Sequence, residues 1–210
     1  DIIWAAIGIP KNFRWYQFDA IKNDVNSYIK WQYKFNSRLE LFTDLQYRHV
    51  DYRFTGTRKY PTVVVNEQFN FVNPKLGLTY RNNGYTIYGS YALGNKEPNR
   101  DDFEREASSP SPRHEQLHNF ESGITKTTAR YNWNVNFFYM RYKDQLVLTG
   151  RINDVGDAVR TNVPNSFRLG VELQGAYKFN EWLEAEGNLT WSRNRILNFT
   201  DAVPVYDANF

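Results

Sequence analysis

Two histidines four residues apart, His114 and His118, flank the end of a charged stretch that also holds Arg100, Arg105 and Arg113. A neutral imidazole can ligate a metal, and two of them four apart on a helix could grip one ion. On a strand they share a side only if extension begins before His114. The three arginines could draw an anionic ligand toward a concave mouth by focusing positive potential there. Interleaved with them are Asp101, Asp102, Glu104 and Glu106. Paired carboxylates run acid–base chemistry when burial drives their proton affinities apart, but in a run this polar a solvated loop is the default reading. There is no phosphate-cradling glycine loop and no histidine-rich metal spacing. With Cys 0, thiolate catalysis, zinc–thiolate sites and disulfides drop out as well. These residues point to ligand contact without catalysis; neither enzymatic activity nor a cofactor is expected.

The elements that must position them are strands. From Phe167 to Phe179, the residues Phe167, Leu169, Val171, Leu173, Tyr177 and Phe179 share one parity, while Arg168, Glu172, Gln174 and Lys178 share the other. Side chains alternate faces along a strand, so one face is apolar and one is wet. After a tight turn at Asn180-Glu181 the pattern resumes, with Leu183, Ala185, Leu189 and Trp191 set against Glu184, Glu186 and Asn188. Three more hairpins repeat the scheme, turning near Asn36-Ser37, at Asn82-Asn83-Gly84 and near Thr128-Ala129-Arg130. Asn and Gly tolerate positive φ and so suit tight turns. Longer polar segments at 50–67, 94–117 and 143–165 join the hairpins and read as loops, the second of them mobile and solvated. About eight to ten strands are expected in one unit spanning 1–210, with the two ends fitting the pattern poorly.

Strands of ten to thirteen residues, rising about 3.3 Å per residue and tilted roughly 45°, cross a hydrocarbon core, whereas strands of soluble domains run nearer five or six. Turns at one end of the sheet and long loops at the other are the asymmetry of outer-membrane barrels. Aromatic residues make up 17% of the 210, as the interfacial girdles of a barrel require. A mean hydropathy of -0.69 fits too, because only alternate residues meet lipid. No run approaches the eighteen or more apolar residues of a transmembrane helix. The net charge of +3 is small and scattered, so no nucleic-acid partner is expected.

Periodicity alone leaves the sheet's orientation open. A soluble β-sandwich, for instance a lectin-like glycan-binding module, turns its apolar rows inward; a membrane barrel turns them out to lipid. In the barrel reading Lys30, Lys34, Arg48, Arg168, Glu172, Lys178, Glu184 and Glu186 face the lumen, and Trp31, Val171 and Leu189 face acyl chains.

Five runs in order carry a family resemblance: 73–80 (Asn-Pro-Lys-Leu-Gly-Leu-Thr-Tyr), 88–100, 115–123 (Glu-Gln-Leu-His-Asn-Phe-Glu-Ser-Gly), 138–146 and 165–173. Across roughly 27–194 the chain resembles the barrel of TonB-dependent outer-membrane receptors. That resemblance implies an antiparallel up-and-down meander forming a section of a large transmembrane barrel in the bacterial outer membrane. It implies a plug domain in the same parent protein, supplied from outside these residues, and an inner-membrane TonB complex acting through that plug. It also implies uptake of a scarce small molecule such as a ferric siderophore or haem. Arg100, Arg105, Arg113, His114 and His118 are then the candidate ligand-binding residues, with no metal site of the protein's own. Family members that take haem carry a histidine in the region of His118. Here, however, Asn95-Lys96-Glu97-Pro98-Asn99 stands where their aromatic-arginine-alanine-proline run is expected.

Overall fold

The computed structural model describes residues 17–57, 60–104, 111–152 and 158–199. They form eight strands: β1 (Ala20–Lys34), β2 (Leu39–Thr55), β3 (Val64–Asn82), β4 (Tyr85–Lys96), β5 (Glu115–Thr127), β6 (Tyr131–Ile152), β7 (Ala158–Lys178) and β8 (Glu184–Leu197), with a short 3₁₀ turn, Arg100–Phe103, between β4 and β5. Each strand pairs antiparallel with the next in one sheet of order β1 to β8. This is the expected up-and-down meander. The sheet does not close on itself: β1 and β8 are both edges.

Three of the four short turns use one device, a side-chain oxygen that accepts backbone N–H groups two and three residues on. Asn36 Oδ1 takes the amides of Arg38 and Leu39 at 2.8 and 2.9 Å, and Asn180 Oδ1 those of Trp182 and Leu183 at 3.1 and 2.9 Å. Thr128 Oγ1 does the same for Arg130 and Tyr131. The fourth turn is the two-residue Asn83-Gly84, with φ of 49° and 77°, the left-handed region those residues tolerate. The turn at Asn180 is longer than the two residues expected from sequence, because the capped Asn keeps Phe179 bonded to Leu183 across it.

Register decides which residues share a face, since directly opposed residues lie on the same side. Trp31 faces Thr43, Leu41 faces Leu78, Tyr80 faces Ile87, and Ile87 faces Ile124. The same row set continues through Val135, Leu173 and Leu189. On that face Trp31, Leu189 and Trp191 are 54%, 64% and 65% exposed, so the apolar rows look outward and are covered by nothing among the described residues. A soluble monomer rarely leaves so much contiguous apolar surface bare. The opposite face is concave, because side chains from non-adjacent strands meet there. Tyr88 of β4, for example, donates to Asn136 Oδ1 of β6 at 2.8 Å, reaching across β5. It can do so because residue 123 is Gly: a Cβ there would lie 2.6 Å from the Tyr88 ring. Lys30, Lys34, Arg48, Arg168, Glu172, Lys178, Glu184 and Glu186 all fall on this concave side. The outward rows are therefore the lipid-facing ones, as the barrel reading requires, and a two-layer sandwich is excluded for the described residues.

Tyr131 and Tyr139 bound the outward belt on β6. Eight steps of about 3.3 Å, tilted about 45°, give roughly 20 Å, close to the apolar band of an outer-membrane barrel. The strands overrun that band. Segments 50–67 and 143–165, expected as loops, are largely strand, since β2 continues to Thr55 and β3 resumes at Val64, while β6 and β7 reach Ile152 and Ala158. Above the belt both faces meet water or other protein, so the apolar–polar alternation that marked the strands lower down lapses while the backbone pairing continues.

Candidate functional site at the long-loop end

At that end the polarity of the sheet inverts. On β2 the outward positions become His49, Asp51 and Arg53, whereas the concave positions become Val50, Tyr52 and Phe54. Outward polar groups pair among themselves: Tyr47 donates to Asn70 Oδ1 at 2.8 Å, His49 Nδ1 lies 2.9 Å from the same oxygen, and Arg53 pairs with Asp51 at 2.7 Å. Inside, Val50, Tyr52, Phe54, Val65 and Phe103 form a buried cluster. It is the main apolar core of the described residues, and it lies on the lumen side.

Phe103 comes from the connection after β4, so that part of the connection folds inward against the wall. It is 3% exposed, and its ring meets Phe54 and Tyr52 edge-on at 5.8 and 6.2 Å. Two polar anchors fix the approach and return of the segment. Glu97, 6% exposed, accepts from Lys22 Nζ at 2.7 Å and from Arg48 Nη1 and Nη2 at 2.7 and 2.8 Å. Arg48 also grips Asp24 through Nε and Nη2. The four groups sum to no net charge. Burial pushes the Glu97 carboxyl up, yet the hydrogen bonds from Arg48 and Lys22 more than offset it and hold it below the usual carboxylate range. At the other anchor, Asp102 accepts the Asn99 amide at 2.7 Å, and Arg160 of β7 at 3.3 Å. The stretch 97–104 therefore forms a ledge bridging β1–β2 to β7. Expected as mobile and solvated, it is instead pinned, because its apolar ring and its two buried acids, Glu97 and Asp102, find partners on the concave wall.

The candidate residues from sequence divide around this ledge. The Arg100 guanidinium lies 5.7 Å from the Phe54 ring and donates to Gly56 O at 3.5 Å, with no carboxylate partner among the described residues. His114 sits against Phe71 and Phe69, at 5.5 and 6.3 Å between ring centres, on the same concave aromatic surface. Arg113 is tied to Asp144 at 2.7 Å and to Asn162 through its backbone. Arg105 lies outside the described residues. His118 goes elsewhere: β5 begins at Glu115, so His114 precedes the strand, and His118 pairs with Leu93 in the outward rows. There its Nδ1 is 2.9 Å from the Tyr91 hydroxyl. The two histidines do not face one site, and no group of three or more metal-ligating side chains occurs among the described residues. Sequence reasoning missed Glu97, Lys22 and Asp24 as a unit. The available signals were Pro98 after Glu97 and the Asn99-x-x-Asp102 spacing of a capped turn.

An open antiparallel sheet with a lipid-facing convex side, a polar concave side and an inward-folded ledge at its long-loop end defines a section of outer-membrane receptor wall. The family model described as TonB dependent receptor-like, beta-barrel matches residues 6–209, and the chain belongs to that family. Its place is the bacterial outer membrane, and the family's role is transport. Among solved structures the copper transporter OprC superposes with a TM-score of 0.72 at 13% identity, covering 84% of this chain and 30% of that one. The FrpB iron transporter from Neisseria meningitidis (F3-3 variant) gives 0.66 at 18% identity, covering 86% and 27%. The alcaligin outer-membrane receptor FauA from Bordetella pertussis gives 0.63 at 15%, covering 89% and 32%. The chain thus spans about a third of the length of these structures. No curated protein sequence gives a match.

Proposed function

We propose that this chain is one section of the wall of a TonB-dependent receptor whose full-length form takes up a scarce small molecule such as a ferric siderophore or haem. In this reading 1–210 is a single barrel section. The remaining strands and a plug lie elsewhere in the parent protein, and an inner-membrane TonB complex acts through that plug. The observation that carries the reading is the partition of one unclosed sheet into a lipid-facing apolar side and a charged concave side within a receptor family match of 6–209.

The concave mouth is where a ligand would pass. Arg100 on the ledge, with no carboxylate partner among the described residues, and the ring-packed His114 beside it are proposed, with Arg105 and Arg113, to guide an anionic ligand inward. His118, on the outward side, is left out of that role. The test is uptake by cells producing the full-length protein, offered iron-55 as several siderophore complexes and as haem. One ligand class should accumulate, and accumulation should stop when the proton-motive force is collapsed. Uptake that continues in de-energised cells, or that is absent for every ligand, would overturn the energised-receptor reading.

A further inference from the structure

The outward rows are almost devoid of acid. In the described residues of β1 to β3 the one outward carboxylate is Asp51, and it is already paired with Arg53. From Tyr85 to Leu197 the rows continuous with Ile87, Val135 and Leu189 hold none. Basic residues do occur there: Lys126 lies at the short-turn end, where it donates to Asn83 O, and the others, His118, Arg141, Lys143, Arg193 and Arg195, gather at the long-loop end. His118 opposes Arg141, Arg141 opposes Phe167, and Phe167 opposes Arg195. One row nearer the belt, Phe120, Tyr139, Leu169 and Arg193 follow in the same order. Arg141, Arg193 and Arg195 are all exposed, and none of their side chains makes a hydrogen bond, ion pair or ring contact among the described residues.

The placement is specific in height as well as in charge. The arginines stand at the upper edge of the apolar belt, over a floor of aromatic rings: Phe120 and Tyr139 are 6.2 Å apart, and Tyr139 and Phe167 are 6.4 Å apart. Arg141 and Arg195 are two strands apart, about 10 Å, and Arg193 and Arg195 are two residues apart, roughly 7 Å. Three guanidiniums therefore bracket Phe167 and Leu169 at the level where acyl chains give way to headgroups. Positive charge near a bilayer surface attracts anionic lipid, and guanidinium forks match phosphate oxygens in particular. Free solvent anions would be held equally well by any exposed arginine. What the apolar floor adds is a seat for the chains that a lipid carries.

We infer that Arg141, Arg193 and Arg195 form an outward-facing site for the phosphate-bearing headgroup of an outer-leaflet lipid, its acyl chains lying down the β6–β8 belt. The inference rests on the membrane orientation above and not on any transported ligand.

The test uses the full-length protein, folded in detergent, and native mass spectrometry with two added lipids: bis-phosphorylated lipid A and the same lipid with both phosphates removed. The wild type should retain the phosphorylated form about tenfold or more over the other. Replacing all three arginines (R141Q, R193Q and R195Q together) should abolish that preference, while the paired-rim variant Arg53→Gln should keep it. Heat-modifiable electrophoretic mobility reports whether each variant is a folded barrel; if the triple variant is not, Arg141→Gln and Arg195→Gln singly should each reduce the preference. Equal retention of the two lipids by the wild type, an unchanged preference in folded variants, or competition by inorganic phosphate alone with no lipid retained would overturn the inference. A protein that folds and transports yet shows no lipid preference sinks this site and leaves the transport reading standing.

Discussion

Arginines at the long-loop end of this sheet live in two opposite circumstances. Arg48, on the concave side, is held by Asp24 and Glu97 and is part of a neutral cluster that locks a connection against the wall. Arg141, Arg193 and Arg195, on the convex side, have no carboxylate near them in any outward row of β4 to β8. The inner charges complete one another; the outer ones have no such partner among the described residues. The same division runs through the apolar residues, since Phe103 and Phe54 are buried on the lumen side while Trp31 and Leu189 are bare on the other.

Breaking the inner arrangement at its apolar pin has the largest expected effect. Phe103→Ala removes a ring that is almost fully enclosed among Tyr52, Phe54 and Val65, and a change of this kind costs about 3–5 kcal/mol. The loss falls on the attachment of the ledge and not on the backbone ladders, which do not involve Phe103. Proteolysis within 97–104 should rise steeply in the folded barrel while its heat-modifiable mobility stays unchanged. A variant as resistant as wild type would mean that the polar anchors alone hold the ledge.

The sidedness itself is tested by two neighbours on β8. Leu189 opposes Leu173 in the outward rows, and Thr190 opposes Glu172 in the concave ones. An arginine at a lipid-facing midplane position costs about 2–4 kcal/mol, whereas on the lumen side it meets water and an acid. Leu189→Arg should therefore lower folding yield and stability in lipid vesicles by that amount. Thr190→Arg should leave both within about 0.5 kcal/mol. Equal losses at the two positions would contradict the assignment of faces.

How much of this was legible in the sequence follows from where lipid stops. Between Tyr131 and Tyr139 one face must be apolar, so alternation is enforced and the strand can be read directly. Beyond the belt nothing enforces it. Asp144, Gln145 and Asn162 lie in paired strands yet look like loop, and Val50, Tyr52 and Phe54 turn inward where the rule from lower down would make their parity polar. Burial of the ledge was hidden for a related reason. Glu97 and Asp102 look like solvated acids until Lys22, Arg48 and Arg160, far away in sequence, are brought to them by the sheet. The spacing of His114 and His118 suggested a shared site, but the strand starts between them and sends them to opposite sides.

The smallest expected effect is in pH. The hydrogen-bonded Glu97 carboxyl titrates below its ordinary value of 4.5, so the anchored state binds its proton less readily than the released one. The anchor's contribution is therefore fully present above 4.5 and is lost only as the pH falls through the lowered value. Protease resistance of 97–104 should stay flat from neutral pH down to about 5, then fall in more acid solution, with the strands still paired. In Glu97→Gln the amide keeps part of the hydrogen bonding and has no proton to gain. That variant should be weaker at neutral pH by about 1–2 kcal/mol and should lose the acid-dependent step. If Glu97→Gln retains the same acid step as wild type, a group other than Glu97 controls release, and the Glu97 anchor is not what the acid undoes.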